Sequence, residues 1–386
     1  MRQPLSKTRH ILLFAAIVVL AGTPAQGFEF GPHQLTVDFT PLAQWNLNQE
    51  DTGTNAEADI IGSFRLREGD TGGLGDTRFG FWVLGNMTLG DTLPTAEFAQ
   101  RAGLLWDTND GDAPVPSWIL AIAAIQQDVH LGFGDVTLEA GKLYPGSQLA
   151  ASSYYGDDRD TFFSQMLGSD VAGRWYDTIG LGVSMTVRAG PWYGGFVVTD
   201  ATAEDDILDF ESLENGDFMK AVELGVTVPI LGRATRLSVV PYHVDTTAAL
   251  SAESGLVLSF QHDLTATRVD LPADIVLFGR YTFRDGGNPR NDEADELAKP
   301  VDHGGFLGVA FNRPFGYDAQ QVGIALMQGS PSKTLKSEGF GAQQGIELFW
   351  KIAPLPYSAL TFDFQAVTSR DDGVQYIPGL RLKLKI

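Results

Sequence analysis

The chain has 386 residues, with 27 Lys and Arg against 48 Asp and Glu for a formal charge of −21, and it contains no cysteine. That absence excludes a disulfide framework, thiolate chemistry and any cysteine-ligated metal. The acidic balance would by itself suggest cationic partners or simple solubility, and no nucleic-acid partner is expected.

Taken in chain order, the first signal is a leader. Arg2, Lys7 and Arg9 precede the apolar run Ile11–Ala21, and the small residues of GTPAQG follow. This is the pattern of a cleaved signal peptide over 1–27, with the cut after Ala25 or Gly27, and no cysteine is present to carry a lipid anchor. The leader is the only stretch resembling a transmembrane helix, so residence of 28–386 in a membrane requires closed β-structure.

Strict alternation then recurs along the chain. Val183, Met185 and Val187 interleave with Ser184, Thr186 and Arg188; Leu277, Tyr281 and Phe283 with Arg280, Thr282 and Arg284. Ile346, Leu348 and Trp350 oppose Glu347 and Lys351, and the end PGLRLKLKI opposes Leu380, Leu382, Leu384 and Ile386 to Arg381, Lys383 and Lys385. Successive side chains of a strand point to opposite faces, so each stretch has one apolar and one wet face. Such stretches are predicted at 35–46, 57–68, 77–88, 98–106, 117–129, 135–144, 174–188, 191–199, 219–228, 235–245, 255–264, 274–284, 303–312, 320–328, 340–351, 358–367 and 375–386.

That list is odd in number, whereas bacterial single-chain barrels use even numbers with short turns at one end and longer loops at the other. Counts from the two termini agree only if 98–106 is not a membrane strand. The prediction is therefore an all-β, transmembrane, antiparallel up-and-down barrel of sixteen strands with long outer loops, one of them at about 89–116. Acids then fall in those loops: Asp107, Asp110 and Asp112; Asp157, Asp158 and Asp160; Glu204, Asp205, Asp206 and Asp209; Asp292, Glu293, Asp295 and Glu296. The inferred lumen face carries Arg65, Arg67, Arg188, Arg280, Arg284, Lys351, Arg381, Lys383 and Lys385 beside scattered acids such as Glu347. Net charge thus describes the loops and predicts neither cation selectivity nor a basic partner.

In order and spacing, LFGRYTFRDG (277–286), GGFLGVAFNRPFGYDAQQVGIAL (304–326), GIELFWKIAPLPYSALTFDFQAV (345–367), PGLRLKLKI and the earlier LEAGKLYPG (138–146) resemble the carbohydrate-selective porins of the OprB-like family. The resemblance implies a sixteen-stranded barrel in the outer membrane of a Gram-negative bacterium, placed there by the barrel assembly machinery and surrounded by outer-membrane lipid. It implies passive diffusion of mono- or small oligosaccharides through a water-filled lumen, with no cofactor. This sequence departs from that family in ending on Ile386 rather than an aromatic residue.

The segment 145–171 is far longer than a turn requires, and long ordered loops are commonly functional. It is expected to fold into the lumen, with Tyr154, Tyr155 and Phe162 offering surfaces to apolar sugar faces and Asp157 and Arg159 binding hydroxyls. Arg65, Arg188, Arg280, Arg284, Glu347 and Lys351 complete the expected solute path; arginine's fixed donors suit hydroxyls and carboxylates alike. The same basic lumen equally supports a general or anion-preferring porin. DTNDGDA (107–113) clusters oxygen donors but lacks the spacing of a calcium loop, so no metal is expected and a solvated acidic loop is the reading. QHD (261–263) and YHVD (242–245) could supply a His–Asp pair to a barrel enzyme, but no matching serine or metal motif accompanies them, so no catalytic residue is predicted.

Overall fold

A computed structural model describes residues 28–385 apart from 71, 110, 112–116, 158, 202–214, 266–273, 291–298, 315 and 371–372. A short strand β1 (Phe28–Phe30) pairs with the start of β2 (His33–Trp45). There follow β3 (Thr52–Arg67), β4 (Leu74–Thr88), β5 (Ser117–Leu131), β6 (Gly134–Leu143), β7 (Gly180–Ala189), β8 (Trp192–Asp200), β9 (Phe218–Ile230) and β10 (Arg233–Val244). Then come β11 (Glu253–Asp263), β12 (Asp274–Gly286), β13 (Val301–Asn312), β14 (Gln320–Pro331), β15 (Gln343–Leu355), β16 (Ser358–Thr368) and β17 (Val374–Lys385).

From β2 onward each strand pairs antiparallel with the next, and β17 returns to β2 through Gly379↔Gln44 and Leu384↔Phe39. The result is a closed barrel of sixteen strands, and closure removes the edges that an open sheet would have to protect. The stretch at 98–106 is not a strand: a helix occupies Thr95–Arg101 and a buried segment follows it. The expected strand at 174–188 begins only at Gly180, because Arg174–Asp177 forms a 3₁₀ turn that belongs to the preceding loop.

Alternation explains the wall. On β15 and β16, Ile346, Leu348, Trp350, Phe362 and Phe364 lie exposed on the outer face, whereas Glu347, Asp363 and Gln365 are buried on the inner one. The same parity carries a second message. Phe278, Phe306, Met327 and Phe349 stand on the inner face of β12 to β15 and are buried there. In a water-filled tube these positions would be polar, so something apolar must cover them.

Tyr281 and Phe283 lie outward with ring centroids 4.7 Å apart, and Phe283 is exposed. Replacing Tyr281 by Arg should cost about 2–4 kcal/mol if it lies near the bilayer midplane. Equilibrium refolding into vesicles measures this, and an unchanged stability would mean that the face is wet.

Candidate functional site: the loop-filled lumen

The apolar cover is the loop between β6 and β7. Its Phe162 ring sits 4.7 Å from Phe349 and 5.9 Å from Phe278, and Tyr155 lies 5.0 Å from Phe306 and 5.7 Å from Phe278. Tyr154 stacks on Phe278 at 5.9 Å, and its hydroxyl accepts from Asn312. Burying a large apolar side chain contributes about 1.5–3 kcal/mol, so these rings hold the loop against the wall.

Polar pegs complete the docking. The Phe163 N–H donates to Glu347 Oε1 at 2.5 Å, and the Ser164 N–H to both oxygens of the same carboxylate at 3.3 Å. Arg381, 1% exposed, donates to the Thr161 carbonyl at 2.8 Å with its guanidinium 4.4 Å from the Phe163 ring. Arg280, 4% exposed, donates to the Ser169 carbonyl and lies among the rings of Tyr155, Tyr176 and Phe306. Arg284 is enclosed between Glu253 and Asp302, 3.6 and 3.0 Å away.

These placements correct the expected solute path. Tyr155, Phe162, Arg280 and Glu347 are buried between loop and wall and the Arg284 side chain is enclosed by Glu253 and Asp302, so none of them presents a surface to a passing solute. A buried arginine requires partners, and for Arg280 and Arg381 the loop's carbonyls and aromatic faces provide them. Replacing Arg280 by Ala should therefore loosen the loop as well as alter the current. A rise in open-channel noise measures it, and a quiet channel with unchanged conductance would refute the anchoring role.

The groups left near the water are at the loop's tip. Arg159 bridges Glu57 at 2.5 Å and Asp59 at 3.0 Å on β3, and its guanidinium lies 5.4 Å from the Trp82 ring centroid. The Trp82 indole N–H donates to Asp59 at 2.7 Å. Asp160, partly exposed, faces Lys351 at 3.7 Å and Lys383 at 3.6 Å, and Lys383 lies 3.7 Å from Asp38. Asp157 holds the tip's bend, accepting from the Arg159 N–H with its side chain and from Thr161 with its carbonyl. Burial pushes the Asp160 carboxyl up, but Lys383, Lys351 and Arg381 together outweigh it and hold the group below its ordinary value. A depressed carboxyl keeps its charge down through the usual carboxylate range and loses its stabilising pairing only in stronger acid. This carboxyl should therefore add no step to the conductance between pH 7 and about 5; Lys351→Met should move its acid titration to higher pH, and an acid step at the same pH in both channels would mean that the pairing does not set it.

Two expected residues lie toward the short-turn end. Arg65 stands 3.6 Å from Asp76, which with Asp128 also holds Arg78 at 2.9 Å. Arg188 lies exposed near the end of β7, paired in register with Asp135 and Tyr193.

Sequence reasoning missed a second inward segment. In the β4–β5 connection, Phe98, Leu104, Leu105 and Trp106 join the same apolar cluster as Phe162. Thr108 and Asn109 are buried: Gln44 and Gln365 both donate to the Thr108 carbonyl, and Asn109 donates to Gln44 and accepts from Asn55. The two inward segments touch where the Gln165 N–H donates to the Asp107 carbonyl at 3.1 Å. The described part of 107–113 is thus packed rather than solvated, because its amides and carbonyls find partners on the wall. Asp110, Asp112 and Ala113 lie outside the described residues, as do the acids of 204–209 and 292–296.

The histidine candidates lie on β10 and β11. His262 Nδ1 meets Thr235 Oγ1 at 2.8 Å. His243 lies 2.8 Å from Ser254 Oγ and 3.1 Å from Asp245, which closes the distances of a Ser–His–Asp array. Asp245, however, also takes Lys220 at 2.7 Å and the Phe218 N–H at 2.9 Å, and Ser254 lies on a regular ladder pair instead of the strained turn that exposes a nucleophilic serine. The array reads as polar pairing on the outer wall near the loop end.

Fold and lumen together define a porin-type barrel, narrowed from within by its own loops. No family model and no curated protein matches the chain. Among solved structures it is similar to the high-pH structure of OprB from Pseudomonas putida, at 13% identity and a TM-score of 0.70 over 92% of this chain and 94% of that one. The low-pH structure of the same protein gives 12% identity and 0.57 over 92% of each chain, and a triple mutant of the Rhodopseudomonas blastica porin gives 10% and 0.54 over 92% and 100%. At such identities the likeness establishes the fold.

Proposed function

We propose that the protein is an outer-membrane porin through which small carbohydrates diffuse passively. The observation that carries this reading is the docking of 145–171 inside the barrel, with Arg159, Asp160, Lys351 and Lys383 left at the water's edge. A sixteen-stranded barrel leaves an aqueous channel, and selectivity follows from diameter and from the groups at the narrowest point. Groups of both signs, mutually paired, favour a neutral polyhydroxylated solute over either ion. Such a channel does no chemistry and needs no cofactor. The leader at 1–27, cleavage and insertion by the assembly machinery complete the proposal for its route to the outer membrane.

Single-channel recording with sugars in the bath tests it. Saturable reduction of the ion current by monosaccharides is expected, and swelling of loaded liposomes should fall off with sugar size. Current that ignores every sugar would leave a general or anion-preferring porin.

A further inference from the structure

Among the described residues, the inner wall has a place where water-facing parity carries apolar groups that no loop fully covers. Ile61, Trp82 and Ile122 are register partners across β3, β4 and β5. Ile61 has the parity of Asp59, so it faces inward, yet it is 42% exposed. Trp82 is partly exposed, and Tyr144 lies 5.7 Å from it at 52°. Toward the short-turn end the same faces become polar again at Arg65, Arg78 and Gln126. An apolar ledge inside a hydrated tube loses solvation free energy unless something uses it.

Its position suggests the user. The ledge begins at the next inward position of β3 after Asp59, directly beneath the Arg159 tip. The carboxylates of Glu57 and Asp59 and the Arg159 guanidinium border it. Ligand sites combine apolar surface with a few fixed polar groups in this way. We propose that this ledge is a binding subsite for a pyranose ring, whose C–H face lies on Ile61 and Trp82 while its hydroxyls reach Arg159, which Asp59 holds in place from behind. The proposal rests on the carbohydrate reading above and names the place where the sugar pauses. The best occupant is a pyranose with equatorial hydroxyls, since both of its faces then present only C–H groups to the ledge. An anion would find Glu57 and Asp59 beside it, and an open-chain polyol would offer no flat face.

The test compares block of the ion current by glucose and by sorbitol in the intact channel, in Trp82→Ala, in Trp82→Phe and in Ile61→Thr. Saturable block by glucose but weak block by sorbitol is expected in the intact channel. Trp82→Ala should raise the half-blocking concentration on the order of tenfold, the scale of one good contact. Trp82→Phe, which keeps an aromatic face and gives up only the bond to Asp59, should retain most of the block. Ile61→Thr keeps β-branching but removes apolar surface at an exposed position, and it should weaken block even where Trp82→Ala fails to insert. Block unchanged in both Trp82→Ala and Ile61→Thr would overturn the subsite and leave the carbohydrate reading standing. An intact channel indifferent to glucose would overturn both, and equal block by sorbitol would overturn the ring-stacking assignment alone.

Discussion

Deleting Ser152–Phe163 should raise single-channel conductance several-fold and let larger sugars through, from a barrel that still closes. The wall's hydrogen bonds run strand to strand from β2 round to β17, and none of these register pairs lies in the deleted stretch. What goes is the filling: Tyr155 and Phe162, each nearly fully buried, together with the Arg159 bridge and Asp160. Two such rings contribute about 3–6 kcal/mol of docking. Their loss uncovers Phe278, Phe306 and Phe349 to lumen water, so thermal stability should fall even as the pore widens. Liposome swelling with a graded sugar series reads the cutoff directly. An unchanged cutoff in a folded, inserted variant would transfer the constriction to Thr95–Asn109, which fills the lumen from the β4–β5 side.

Much of this architecture was legible because a period of two is a strong signal where both faces are constrained, one by lipid and one by water. Ile346, Glu347 and Leu348 alternate so regularly that their faces follow at once. The alternation of short turns with long loops likewise excludes 98–106 from the wall, in agreement with the helix over Thr95–Arg101. What escaped was depth. Periodicity gives the face of Arg280 and Arg284 but not what stands in front of them: the long loop turned Arg280 into a buried anchor, while Glu253, Asp302 and the Lys299 carbonyl enclosed Arg284. Phe349 held the missing clue, since it shares the parity of Glu347 and Lys351. An aromatic residue on the wet face signals a loop folded over it, and Phe278 and Phe306 repeat that signal. The second inward segment gave less warning, because Thr108 and Asn109 read as solvated until Gln44, Asn55 and Gln365 are placed around them.

The other large effect should come from the Arg159 bridge, and it should change sign with the partner removed. Glu57 and Asp59 have side chains only 4% and 2% exposed, and Arg159 bridges them. Arg159→Gln leaves two carboxylates enclosed in the loop-narrowed lumen without that cation. Breaking such a buried pair typically costs about 3–5 kcal/mol, partly relieved here by water from the channel. The current should then lean toward cations, since acidic groups at a constriction favour them. The double change Glu57→Gln with Asp59→Asn does the reverse: the guanidinium keeps its charge at any accessible pH but has lost these two counter-charges, so the current should lean toward anions. The side-chain oxygen that Asp59→Asn retains still accepts from the Trp82 indole N–H, which keeps the ring in place. Reversal potentials under a salt gradient measure both variants. Shifts of opposite sign are expected, and shifts of the same sign, or none, would mean that ions pass by another part of the lumen and that Arg159 serves only to hold the loop.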